Sequence, residues 1–280
     1  MITIDPGIVG LAIGPLVSTI DARWLMAYAA AVGETDPRYY DTTARGGPVA
    51  HPLFPVCYEW PVALALRAKA IDDALAPLGV HALHRLVVHR PARAGDELRT
   101  SAQVTRVERR RSGTLVVIRY TTLDGSGAPV STTDYGSVYR GVEFRGDSRG
   151  SAWERTDDVA TGIRWAEAVE ITAQAAHVYT EGARIENPIH TDIAAARAAG
   201  LPCLILHGTA TLALAVSRVV ARELGGDPTV VRGVSGRFTG MVTMPSTLVV
   251  RGRDASDARL AFDAVDSAGR AVLADGVVTR

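Results

Sequence analysis

The 280-residue chain carries 30 Lys+Arg against 30 Asp+Glu, so it lacks the basic excess that draws nucleic acid or an anionic membrane surface. With 47% hydrophobic and 21% charged residues it reads as one large or two modest globular domains with room for a core. Two cysteines, Cys57 and Cys203, and no basic-then-apolar leader predict reduced thiols and a cytoplasmic protein.

Taken in order, residues 5–20 read as a short strand and turns, and the apolar run 9–20 is too short and broken to span a bilayer. Trp24, Leu25, Tyr28 and Val32 lie at helical spacing, with Ser18, Thr19 or Asp21 as N-cap. An Asp36-Pro37 turn follows, then an apolar stretch over 53–75 that predicts a long helix, kinked or started at Trp60-Pro61 because proline lacks a donor. Strands are expected over 83–91, 98–109, 115–123 and 130–141, with turns at 94–96 and 124–127 and a solvated hairpin tip at 109–113. The charged, Gly/Ser-rich segment before residue 161 reads as a linker.

Sliding the chain by 151 residues lays Ile20 on Ile171, Tyr28 on Tyr179, Pro37 on Pro188 and Asp41 on Asp192, with Asp36 on Asn187 and Tyr39 on His190. A repeat of this length is a duplicated domain. In the later copy, Asn187-Pro188 holds His190 on a tight loop, Thr191 or Asp192 can cap the next helix and Gly200 can end it. Pro202 leads to His207-Gly208 and an apolar run over 209–224 that predicts a helix with unpaired N–H groups at its start. Strand signals return over 230–238, 246–253 and 259–265, with one more after residue 269. Each half therefore reads as helix, loop, long helix and about four antiparallel strands, an α+β architecture.

The run from Tyr179 through Asn187, Pro188, Ile189, His190 and Asp192 to His207-Gly208 resembles the signature of the MaoC-like dehydratases, the (R)-specific enoyl-CoA hydratases. The resemblance implies a double hotdog, two curled antiparallel sheets each wrapping a long central helix: 1–145 as a substrate-lining half, 146–160 as linker, 161–280 as the half with the hydratase motif. It also implies reversible hydration of 2-enoyl thioesters of CoA or a carrier protein, in fatty acid or polyketide metabolism, without metal or cofactor. The family's catalytic Asp position is Ile185 here, which cannot take a proton.

Hydration needs a base for water, a proton for C2 and a donor for the enolate oxygen. Tyrosine titrates near ~10 and histidine near ~6.5, so the chemistry is assigned to His190 rather than Tyr39. Asn187 is the orienting residue; His207, Gly208 and Thr209 form the thioester-oxygen site; Tyr179, Pro188 and Asp192 support the motif. Glu181, Glu186 and Glu34, which aligns with Ile185, are the candidate replacements for the acid. His81, His84 and His89 read as scattered strand or loop positions and His177 as a helix-face residue. The alternatives are a non-hydratase of the same fold, either a thioester-binding partner or a cyclase or isomerase of a natural-product intermediate, and a thioesterase. Expected partners are an acyl-CoA or acyl-carrier-protein thioester and a second copy in a homodimer, with neither nucleic acid nor membrane.

Overall fold

The computed structural model describes residues 3–144, 146–150, 162–254, 256 and 258–280. The first half runs β1 (Ala12–Thr19), α1 (Ala22–Ala31), a 3₁₀ turn (Pro37–Tyr39), α2 (Pro55–Ala70), β2 (Gly79–Val88), β3 (Glu97–Arg110), β4 (Gly113–Leu123), β5 (Pro129–Arg140) and β6 (Arg149–Gly150). The second runs β7 (Ile163–Ile171), α3 (Ala175–Ala183), a 3₁₀ turn (Pro188–His190), α4 (Ile193–Ala198), α5 (Gly208–Glu223), β8 (Gly233–Phe238), β9 (Ser246–Arg253), β10 (Arg259–Asp266) and β11 (Ala271–Thr279).

The strands form one antiparallel sheet in the order β1-β3-β4-β5-β2-β8-β11-β10-β9-β7, with β6 added beside β3. Each half thus contributes its strands in the same order from the outer edge inward. The halves meet where β2 pairs with β8, Arg85 opposite Ser235, so the two expected sheets are continuous with each other. Side chains alternate along the strands: Leu98, Thr100, Ala102 and Val104 of β3 point inward, as do Leu260, Phe262 and Ala264 of β10. Within the stretch read as linker, Arg149 and Gly150 form β6; residues 151–160 lie outside the described residues.

Two local features differ from expectation and a third narrows it. β7 was not anticipated: its Ile-Arg-Trp-Ala-Glu alternation belongs to an edge strand exposed on one face. Pro61 neither starts nor interrupts the first long helix, which runs through it from Pro55 to Ala70. Asp21 alone among the three candidate caps holds the start of α1, accepting from the Trp24 N–H at 2.6 Å. Among the described residues no helix is long and apolar enough to cross a membrane.

α1 and α3 pack together across the junction. A Cβ on Gly182 would lie 2.5 Å from the Ala31 Cβ and 2.7 Å from the Ala27 carbonyl oxygen, so only glycine permits this approach. Tyr28 and Tyr179, the paired repeat positions, meet edge to face at 5.8 Å in the same seam. The two long helices differ in burial. Ten of the 16 residues of α5 are buried against seven of α2, and it is beneath α2 that the fold stays open.

Candidate active site

The second 3₁₀ turn is built by Asn187 and Pro188. Proline presets its first residue, and the His190 N–H closes on the Asn187 carbonyl at 3.1 Å. α3 ends at Arg184 in the left-handed region (φ 57°), where the aligned residue of the first half is Gly33. The guanidinium of Arg184 lies 4.2 Å from the Trp24 ring centroid, a contact that offsets the backbone cost. That turn carries the chain into Ile185, 4% exposed and packed in the main core.

His190 is 8% exposed and its orientation is fixed twice over. Its Nδ1–H donates to the Ile205 carbonyl at 2.8 Å, and its ring stacks on His207 at 3.7 Å between centroids. With Nδ1 carrying the proton, Nε2 holds the lone pair and has no protein partner among the described residues. Burial pushes His190 down to about 4, against the weaker opposite pull of the Ile205 carbonyl, so it is a neutral base at pH 7. Burial, and then the neighbouring His190, hold His207 well below the ordinary imidazole range. The His207 Nε2 lies 3.4 Å from the Thr180 hydroxyl.

α5 begins at Gly208, directly after His207, and presents its first N–H groups to the same space. A Cβ on Gly208 would stand 3.1 Å from His81 Nδ1 and 3.4 Å from the Phe238 ring, so glycine keeps the helix start close to that wall. Asn187 borders the space with a side chain that caps nothing, whereas Asp36 at the aligned place accepts from the Arg38 N–H and pairs with its guanidinium.

These residues share one cavity of about 150 Å³. Ile185, Asn187, His190, His207, Gly208 and Thr209 line one end, and α2 with β2, β3, β4 and β5 of the first half lines most of the rest, with Phe238 and residues 240–242 of the second. Tyr179, 1% exposed, supports the site from behind, 5.0 Å from the His207 ring. Asp192 caps α4, accepting from Ala194 and Ala195 N–H at 2.7 and 3.3 Å.

The candidate acids are not brought to the site. Glu181 and Glu186 are exposed and face a separate outer cleft with His177, because the turn at Arg184 directs only Ile185 inward. Glu34 lies in the other half, its carboxyl 3.7 Å from His51 Nε2. Among the described residues, the carboxyl that borders the cavity is Glu59, which sequence reasoning passed over as part of an apolar helix. His81 was passed over too. It is not a scattered strand residue but part of the cavity wall, brought there because β2 is the central strand of the continuous sheet. A glutamate at helical spacing between Val56, Trp60 and Ala63 was the signal available for Glu59. Among the described residues no group of three His, Cys, Asp or Glu side chains is placed to hold a metal ion.

Two copies of strand-wrapped helix with a paired sheet define a double hotdog. A Mycobacterium tuberculosis protein described as having that fold superposes with a TM-score of 0.61 at 18% identity, over 96% of this chain and 95% of the other. The chain carries dehydratase-type domains in both halves: residues 160–268 match the MaoC like domain and residues 7–133 the FAS1-like dehydratase domain region. A MaoC-like dehydratase from Phytophthora capsici superposes with a TM-score of 0.86 at 21% identity, over 97% of this chain and 95% of that one. Over 63 residues, 22% of this chain, the sequence is 43% identical to the peroxisomal enoyl-CoA hydratase 2 of Arabidopsis thaliana; the match spans 20% of that relative.

Proposed function

We propose that the protein reversibly hydrates 2-enoyl thioesters of CoA or of a carrier protein to 3-hydroxyacyl thioesters, with His190 as the single acid–base group. The observation that carries this reading is the locked tautomer of His190, whose free Nε2 faces a cavity that also receives the N-terminus of α5. The partial match to an enoyl-CoA hydratase supports the substrate class.

A lone imidazole suffices if both new bonds form on one face. Nε2 takes a proton from water as its oxygen adds to C3, and the alkene electrons move onto the thioester oxygen, where the Gly208 or Thr209 N–H stabilises them. The imidazolium then gives that proton to C2, so the water is consumed whole and the base is regenerated. Asn187 orients the water. Dehydration is the same path reversed. Purified protein is expected to remove the enoyl-thioester absorbance of crotonyl-CoA or a longer analogue, and His190→Ala to abolish this; a broad enoyl-CoA panel without turnover would end the reading.

Ile185 favours a second reading, a non-hydratase that binds thioesters or rearranges them with His190 alone, since no carboxylate stands where the family places one. Calorimetry with CoA esters separates binding from turnover. Release of free thiol would instead reveal a thioesterase.

A further inference from the structure

The cavity beyond the motif has more polar groups than a hydrocarbon tail can satisfy. Along α2, Val56, Glu59, Trp60, Ala63, Arg67 and Ala70 face it, a stripe of about 21 Å at ~1.5 Å per residue. Val56, at the motif end, shares the main core with Ile185 and Leu206, and Glu59 follows one turn later. The Glu59 side chain is 3% exposed overall, yet it lines the cavity. It accepts one hydrogen bond, from the Thr133 hydroxyl at 2.6 Å, and its second oxygen has no protein partner among the described residues. Burial, against the pull of Thr133, pushes this carboxyl up to about 8, so at pH 7 it is a neutral acid with an O–H to donate.

Across the cavity His81 is held between the rings of Tyr135, 3.8 Å away, and Phe238, 4.3 Å away. Its Nε2–H donates to the Leu83 carbonyl at 3.0 Å, which leaves Nδ1 as an acceptor. That Nδ1 has no hydrogen-bond partner, but it is sealed from the cavity beside Gly208, so His81 shapes the wall and offers a ligand nothing to bond. Arg67, its guanidinium 5.6 Å from the Trp60 ring centroid, adds donors about 12 Å beyond Glu59 along the helix. A plain alkyl chain would cover Glu59 and Arg67 and bond to neither. Burying an unpaired donor or acceptor weakens a complex by about tenfold or more.

We infer that the acyl group received here is oxygenated beyond its thioester end, with a hydroxyl or keto oxygen bonded by the Glu59 carboxyl. This deepens the thioester reading and rests on it. Unbranched saturated fatty acyl groups are then poor ligands, because they supply no partner for the Glu59 carboxyl.

The test is calorimetric binding of decanoyl-CoA against its oxo and hydroxy analogues, with the oxygen moved along the chain, all lacking the reactive alkene. At least one analogue is expected to bind about tenfold or more tighter than decanoyl-CoA. Glu59→Leu should erase that preference, and Glu59→Gln, which keeps a donor and an acceptor, should retain much of it. Equal binding of decanoyl-CoA and every analogue by the wild-type protein overturns the inference and leaves the thioester reading intact. If no CoA ester binds at all, both fall. The wild-type comparison decides the matter even if Glu59→Leu does not fold.

Discussion

At places 151 residues apart the two halves hold Glu34 and Ile185, Asp36 and Asn187, Tyr39 and His190. In the first half a carboxyl is present: Glu34 lies 3.7 Å from His51 Nε2, and the same nitrogen is 3.2 Å from the Ser217 hydroxyl. Tyr39 stacks over His51 at 6.1 Å, and none of these side chains borders the cavity. In the second half an imidazole pair borders the cavity, and among the described residues of that half no carboxyl does. The two copies thus hold different groups at matching places, and those of the second copy alone border the cavity. The long helix of the first half is less buried than its counterpart and lines the cavity. The second keeps α5 packed and uses the start of that helix.

The sharpest way to break this comparison is to remove the titratable group at each aligned position. His190→Ala should lower the hydration rate on the order of 10²–10⁴-fold, whereas Tyr39→Phe should leave it within about twofold. Similar losses in both variants, measured by enoyl-thioester absorbance, would show that the halves do not divide the work as described.

Restoring the acid sharpens it next. Ile185→Asp is expected to raise the rate by about tenfold or more while costing about 2–4 kcal/mol of stability, since a carboxyl replaces a core side chain. No gain in rate, with the fold retained in thermal melts, would mean that the cavity has been remodelled around isoleucine.

A third prediction concerns pH. The folded Glu59 lies at about 8 against an ordinary 4.5, so its contribution is fully present below 4.5 and is lost as pH rises to about 8. Glu59→Gln removes this loss and should stabilise the protein by about 3 kcal/mol at pH 7 and by almost nothing at pH 4, as read by denaturant titration. On the acid side, His190 and His84 at about 4 and His51 at about 3 stay neutral in the fold while the unfolded chain takes up protons below ~6.5. Stability should therefore fall from pH 6.5 towards 4, and the hydration rate should stay level until His190 itself protonates.

The smallest effect is expected at the turn. Asp36→Ala removes a cap and an exposed ion pair and should cost about 1 kcal/mol, with activity unchanged. A loss of activity would mean that the first turn takes part in the site.

The duplicated plan was legible in the chain because local signals write it. Asp-Pro and Asn-Pro set the two 3₁₀ turns, Asp192 caps α4, and alternating apolar residues lay out the strands from β2 to β5 and from β8 to β11. His190, Asn187, His207 and Gly208 were legible as a group because they are close in sequence and belong to one loop and one helix start. What sequence spacing could not give is which side chains reach the same space from elsewhere. Glu181 and Glu186 flank Ile185 in the chain yet face outward, since a single left-handed residue at Arg184 sets the direction of the next. Glu59 and His81 lie more than a hundred residues before His190 and reach its cavity only because β2 pairs with β8 and α2 stands off its sheet. The chain alone thus determined the repeat, the turns and the reactive imidazole, all products of neighbouring residues. The polar wall was decided by long-range strand pairing and helix packing, and the exclusion of the flanking acids by one left-handed backbone turn that only the folded chain reveals.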